Sequence, residues 1–222
     1  MPFNLTSQNN ALKSGTGGGI AGAITHIGVH TLTDPGTGAN ASAGEVSGGS
    51  PAYARQAVAW GTPGTPGPGQ VSNTGALTFD IPAGSTVGFL TFWNAATGNS
   101  NNYLGYAPIN GTVKGFFSVD TTLANDALLS VAHGLADGDR VQLFNTFAES
   151  LPTGLTEGAL YYVVNSTANS FKVSTTSGGA PVDITALGGG EGFFQKIVPE
   201  VYASQGQLTV AAGAIVLDAT GI

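Results

Sequence analysis

The chain has 222 residues, thirteen acidic and six basic side chains, three histidines and a formal net charge of -7. That excess of acid gives no electrostatic footprint for a nucleic-acid backbone, so DNA and RNA are excluded as partners. Charged residues make up only 9% of the chain while hydrophobic residues reach 41%, so the polarity comes from Ser, Thr, Asn and 35 Gly. With no cysteine, disulfides, thiolate metal sites and a cysteine nucleophile are all absent. The N-terminus reads Met1-Pro2-Phe3-Asn4-Leu5-Thr6, without a basic region followed by an apolar run. No stretch approaches the ~20 apolar residues of a membrane span, so no membrane insertion is expected.

In chain order, helix is expected only within the first fifteen residues. Thr6 or Ser7 can cap a short segment through Ala11 and Leu12, which Gly15 and Gly17-Gly18-Gly19 end. From Ile24 the pattern takes period two, with Thr25, Ile27, Val29 and Thr31 opposite His26, Gly28, His30 and Leu32, as in a half-buried strand. Asp34-Pro35-Gly36-Thr37-Gly38 reads as the turn that follows it. Tyr53 to Trp60 alternates again, with Trp60 as an anchor of the inner face. The loop Gly61 to Gly69 is too rich in Pro and Gly to join a ladder. Further strands are expected over Ala76 to Ile81, Thr86 to Trp93 and Tyr103 to Tyr106.

Past Gly115 the texture changes, and eight of the thirteen acids fall between Phe117 and Ile197. Asp137-Gly138 precedes a strand Arg140 to Phe144, and Leu160 to Val164, Ser170 to Ser174 and Val182-Asp183-Ile184 follow. Gln207 to Val210 and Ala214 to Leu217 then read as the closing strands of the first domain. The expected fold is all-β: a β-sandwich host domain, jelly-roll or immunoglobulin-like, with a short N-terminal helix and an inserted small β-barrel-like module. The expected division is 1–116 for the first part of the host, 117–197 for the insert and 198–222 for the closing strands, with the insert projecting from a surface loop.

No constellation converges on a reaction. His26 and His30 stand four apart on a strand, roughly 13 Å from each other, so they cannot share a metal. His133 lies at a turn in His133-Gly134-Leu135, and Asp137-Gly138-Asp139 lacks the remaining oxygen donors of a calcium loop. There is no G-x-S-x-G elbow, no phosphate loop and no H-E-x-x-H helix. Sequons at Asn4, Asn40, Asn110 and Asn165 match the chance expectation for so much Asn, Ser and Thr. Glycoside hydrolysis is conceivable from any two of the acids, and spacing alone does not select a pair. No catalytic, cofactor-binding or metal-binding residue is assigned. A surface poor in ions can pack against neighbouring copies without desolvating many charges, which is the physical case for a structural subunit.

Several stretches resemble small virion proteins of tailed bacteriophages, chiefly those infecting actinobacteria, of the minor tail or tail-fibre type. They are Ile24 to Thr31, Glu45 to Arg55, Phe79-Asp80-Ile81-Pro82-Ala83-Gly84, Phe92 to Gly98 and Gln205 to Val210. The insert is similar to a module of phage structural proteins through His133-Gly134-Leu135, Leu151 to Leu155, Tyr161 to Val164 and Phe171 to Ser174. The resemblance implies a non-enzymatic virion protein, assembled in the host cytoplasm, that packs against other virion proteins of tail or capsid. It implies a homo-oligomer, a trimer by analogy with phage surface proteins. Capsid decoration and a host-surface glycan-binding module are the alternatives that the same residues leave open.

Overall fold

The computed structural model describes residues 23–110, 113–145 and 150–219. The helix expected before Gly15 lies outside the described residues. The protein is nearly all-β, and its chain divides into two compact units, residues 1–107 with 200–222, and residues 108–199.

The first unit is organised around β1 (His26–Thr31) and β5 (Ser85–Trp93), which pair antiparallel from His26 opposite Trp93 to Thr31 opposite Val87. A five-stranded sheet forms in the order β13 (Glu200–Tyr202), β5, β1, β2 (Gln56–Ala57), with β6 (Tyr103–Pro108) also on β5. Two ribbons complete the unit: β4 (Leu77–Ile81) with β14 (Gly206–Val210), and β3 (Gln70–Ser72) with β15 (Val216–Asp218). The side chains of Ile27, Val29, Phe79, Ile81, Val87, Phe89 and Trp93 are fully buried here. Burying such side chains is the main favourable term in folding.

Four local expectations change in this unit. β1 is buried along both faces rather than one, with Ile27 and Val29 on one face and Gly28 and His30 on the other. Of Tyr53 to Trp60 only Gln56 and Ala57 form a strand, and Trp60 makes a bridge to Asn73. Trp60 is half-buried against Val71 and Ala219, with its indole N–H donating to Ile24 O at 2.8 Å. A helix, α1 (Gly38–Ala43), occupies a stretch that the sequence presents as turn and loop. Its composition is poor for a helix, but Thr37 caps it by accepting from the Asn40 N–H, and Ala41 is buried.

The second unit is a closed barrel of six antiparallel strands. They are β7 (Lys114–Val119), β8 (Leu128–Leu129), β9 (Arg140–Phe144), β10 (Leu160–Val164), β11 (Ser170–Ser174) and β12 (Glu191–Ile197), in the order β10-β11-β8-β7-β12-β9. Closure pairs every strand and removes the exposed edges of an open sheet. The interior holds Phe117, Val119, Leu128, Val141, Leu143, Tyr161, Val163, Phe171, Val173 and Phe194. Gly192 is required on β12, since a Cβ there would enter the Phe117 ring.

Two sequence expectations change in the barrel. Val182 to Ile184 forms no strand, although the Val182 N–H donates to Val173 O at 2.8 Å and Ile184 is buried. The barrel instead uses β7, β8 and β12, which the alternation pattern did not single out. Asp137-Gly138-Asp139 is the tight turn that its residues suggest, with Gly138 at φ 90 and the Asp139 N–H donating to Ala136 O at 3.0 Å. Asp139 then pairs with Lys196 at 2.7 Å and ties this turn to β12.

Candidate functional site

The histidines do not converge. His30 is fully buried, with Nδ1 2.9 Å from Thr31 O and Nε2 3.0 Å from Asn40 O, so both ring nitrogens are spent on backbone. His26 instead contacts the Thr25 hydroxyl at 2.9 Å. His133 accepts from the Leu135 N–H at its Nδ1, which leaves hydrogen on Nε2, and that nitrogen donates to Ser170 O at 3.2 Å. His30 and His133 thus serve as partners of backbone groups, and His26 of a neighbouring hydroxyl. Among the described residues, no group of three or more His, Asp or Glu could hold a metal ion.

The first unit does assemble one polar network that the sequence leaves unread. Glu45 accepts from Arg55 Nε at 2.7 Å and from Arg55 Nη2 at 2.7 Å, a bidentate pair. Arg55 also donates to Ala95 O at 3.2 Å and to Gly98 O at 3.0 Å, and its guanidinium lies 3.4 Å from the centre of the Trp93 ring. The Tyr53 hydroxyl donates to Glu45 at 3.0 Å and accepts from the Val29 N–H at 2.8 Å. Burial, reinforced by the Glu45 charge, pushes the Tyr53 hydroxyl pKa well above its ordinary value. A depression of about 330 Å³ lies beside this network, bordered by Glu45, Tyr53, Arg55 and Gly98.

Four of the five N–H donors of the Arg55 guanidinium are bonded within the chain, so its charge is committed to Glu45 and to holding the Asn94 to Asn102 loop rather than to a ligand. Glu45 and Arg55 are ten residues apart, joined through a loop, and no spacing rule connects them. The available signal was scarcity: in a chain with six bases, Arg55 sits between Ala54 and Gln56 in a stretch with no other charge.

The barrel presents a different surface. Along β7 the side chains alternate, with Phe117 and Val119 inside and Lys114, Phe116 and Ser118 outside. Phe116 stands opposite Phe193 on β12, and Phe193 stands opposite Phe144 on β9. The three rings form a row across the outer face, with centroids 5.7 Å apart for Phe116 and Phe193 and 6.4 Å apart for Phe193 and Phe144. Phe116 is 67% exposed and Val131 is 82% exposed, with Leu129 also open. A shallow depression of about 520 Å³ runs beside them, lined by Phe116, Leu129, Ser130, Val131, Lys114 and Glu191 among others. Single exposed hydrophobes are ordinary, whereas a contiguous cluster marks a surface that meets another molecule.

A family model described as Podophage GP4 fiber I protein gp80 matches residues 7–132, more than half of the chain. No curated protein matches, and no solved structure matches.

Proposed function

The chain belongs to the podophage GP4 fiber I protein gp80 family, a virion structural family of the tail-fibre type, and from that membership we propose that it is a non-enzymatic subunit of the tail fibre apparatus. The family match carries this reading, and its fibre description favours the tail over a head-decoration role. The physical character of the chain supports a structural task. The first unit spends its buried charges on a loop clamp, and the barrel exposes an apolar face suited to contact with other virion proteins. A near-uncharged surface lowers the desolvation cost of close packing in an assembly.

The test is quantitative mass spectrometry of gradient-purified phage particles, with a particle from which this gene is deleted as comparison. The protein is expected at a defined copy number in intact particles, and the deleted particle is expected to lose fibre density. Purified infectious particles that contain no copy of the chain would refute the assignment.

A further inference from the structure

We propose that the outer face of the barrel is a self-association surface, through which two copies of this chain meet about a two-fold axis lying along the Phe116–Phe193 row. The register fixes three parallel rows on that face. Lys114 stands opposite Gln195 in the first, Phe116 opposite Phe193 in the second, and Ser118 opposite Glu191 in the third. Leu129 extends the third row, because it pairs with Ser118 from the other side. The face is therefore apolar along its middle, basic at one side and acidic at the other.

A two-fold axis along the middle row turns one face onto the other and reverses the strand direction, so the first row of one copy meets the third row of the second. The phenylalanine rows then meet each other. The rotation keeps each position along the row, so Lys114 of each copy comes over Ser118 of the other, one strand or about 4.8 Å from Glu191, and two diagonal Lys114–Glu191 pairs form at once. An isologous contact needs this kind of self-complementarity, in which residue i meets residue j and j meets i. Among the described residues, neither Lys114 nor Glu191 forms an ion pair within its own chain. Both are exposed, and both border the depression beside Phe116. A second copy brings the opposite charge within one strand of each of these two residues, which an arbitrary apolar partner would not.

The face is small, so association is expected to be concentration-dependent rather than obligate. Its centre is an aromatic cluster, where interface energy concentrates, and its charges lie at the rim, where they set register. The inference concerns the barrel surface alone and stands or falls independently of where the chain sits in a particle.

The experiment is sedimentation velocity of the full chain over a wide concentration range, with four variants and their melting temperatures. Phe116→Asp is expected to weaken dimerisation at least about tenfold, the cost of losing one central anchor. Lys114→Glu alone and Glu191→Lys alone are each expected to weaken it, and the double variant carrying both is expected to restore it. All three positions are exposed, so melting temperatures close to the parent show that the fold is kept. A chain that stays monomeric at every concentration, or that forms trimers, would overturn the inference. So would a dimer indifferent to Phe116→Asp, or single charge reversals that the double variant fails to rescue.

Discussion

Arg55 stacks its guanidinium 3.4 Å from the centre of the Trp93 ring while its nitrogens hold Glu45 in a bidentate pair. The side chain of Arg55 is 4% exposed and that of Glu45 15%, so this is an ion pair withdrawn from water. Such a pair adds little over a well-packed apolar substitute, yet removing one member strands the other. Glu45→Ala is therefore expected to destabilise the first unit by about 3–5 kcal/mol. Urea unfolding followed by tryptophan fluorescence measures it, and a loss below about 1 kcal/mol, the scale of an exposed pair, would contradict the burial argument.

Gly28 is the backbone counterpart of the same network. A Cβ at this position would lie 2.8 Å from Thr91 Oγ1, 2.9 Å from Trp93 Nε1 and 3.0 Å from Glu45 Oε1. None of these atoms can retreat freely, because Trp93 Nε1 donates to Thr91 Oγ1 at 2.8 Å and Glu45 is held by Arg55. Gly28→Ala is expected to cost about 1–3 kcal/mol as overpacking, despite the better intrinsic preference of alanine for ordered structure. Thermal melting of the variant gives the sign directly, and an unchanged or raised midpoint would show that the network can yield.

Two neighbouring phenylalanines give a contrast that depends on period-two alternation alone. Phe117 is buried in the barrel and Phe116 faces outward. Phe117→Ala is expected to cost about 3–5 kcal/mol, whereas Phe116→Ser is expected to fall within about 0.5 kcal/mol of the parent. Chemical denaturation of both variants at a concentration where the chain is monomeric tests this. Equal losses would mean that the register of β7 differs from the one described.

Alkaline pH should unfold the first unit through its tyrosines. Burial raises the hydroxyl pKa of Tyr53 and of Tyr103, and burial with the Glu200 hydrogen bond pushes Tyr202 up to about 12. Each group has a folded-state pKa above its unfolded value near 10, so its neutral form is favoured by folding. The stability they contribute is whole below about pH 10 and is lost progressively as pH rises from there through each raised folded-state pKa, about 12 for Tyr202 and higher for Tyr53 and Tyr103. Tyrosinate absorbance should show these three ionising late and together with unfolding, and Tyr→Phe at each position should remove one late-titrating group. Free titration of all six tyrosines near pH 10 in the folded protein would refute it.

Tyr103 carries one further consequence. Its hydroxyl is the one buried side-chain polar atom, among the described residues, without a hydrogen-bond partner, while its ring meets Trp93 edge-on at 5.3 Å. Removing an unsatisfied hydroxyl relieves a desolvation cost and leaves the ring contact in place. Tyr103→Phe is expected to leave the melting midpoint unchanged or raise it, and a clear drop would show that the hydroxyl has work to do.

The elements that sequence reveals and those it hides differ for physical reasons. β4, β5, β9, β10 and β11 announce themselves because alternating Val, Ile, Phe and Tyr run between Gly, Pro and Asn turns. The all-β class follows from the same punctuation. β12 does not, because Phe193 and Phe194 are adjacent and only the long-range pairings with β7 and β9 send one ring inward and the other out. α1 stays hidden because Gly38, Asn40 and Ser42 are poor helix formers, stabilised by a Thr37 cap and a buried Ala41 that depend on context. The Arg55 clamp and the phenylalanine row are tertiary products, which no local spacing encodes.

The account stands most directly on where the chain sits. Cryo-electron microscopy of intact phage, with the barrel and the five-stranded sheet fitted as separate bodies, is predicted to place copies of the chain in the tail fibre apparatus. Density that accommodates these folds only on the head shell, or nowhere on the particle, would contradict it.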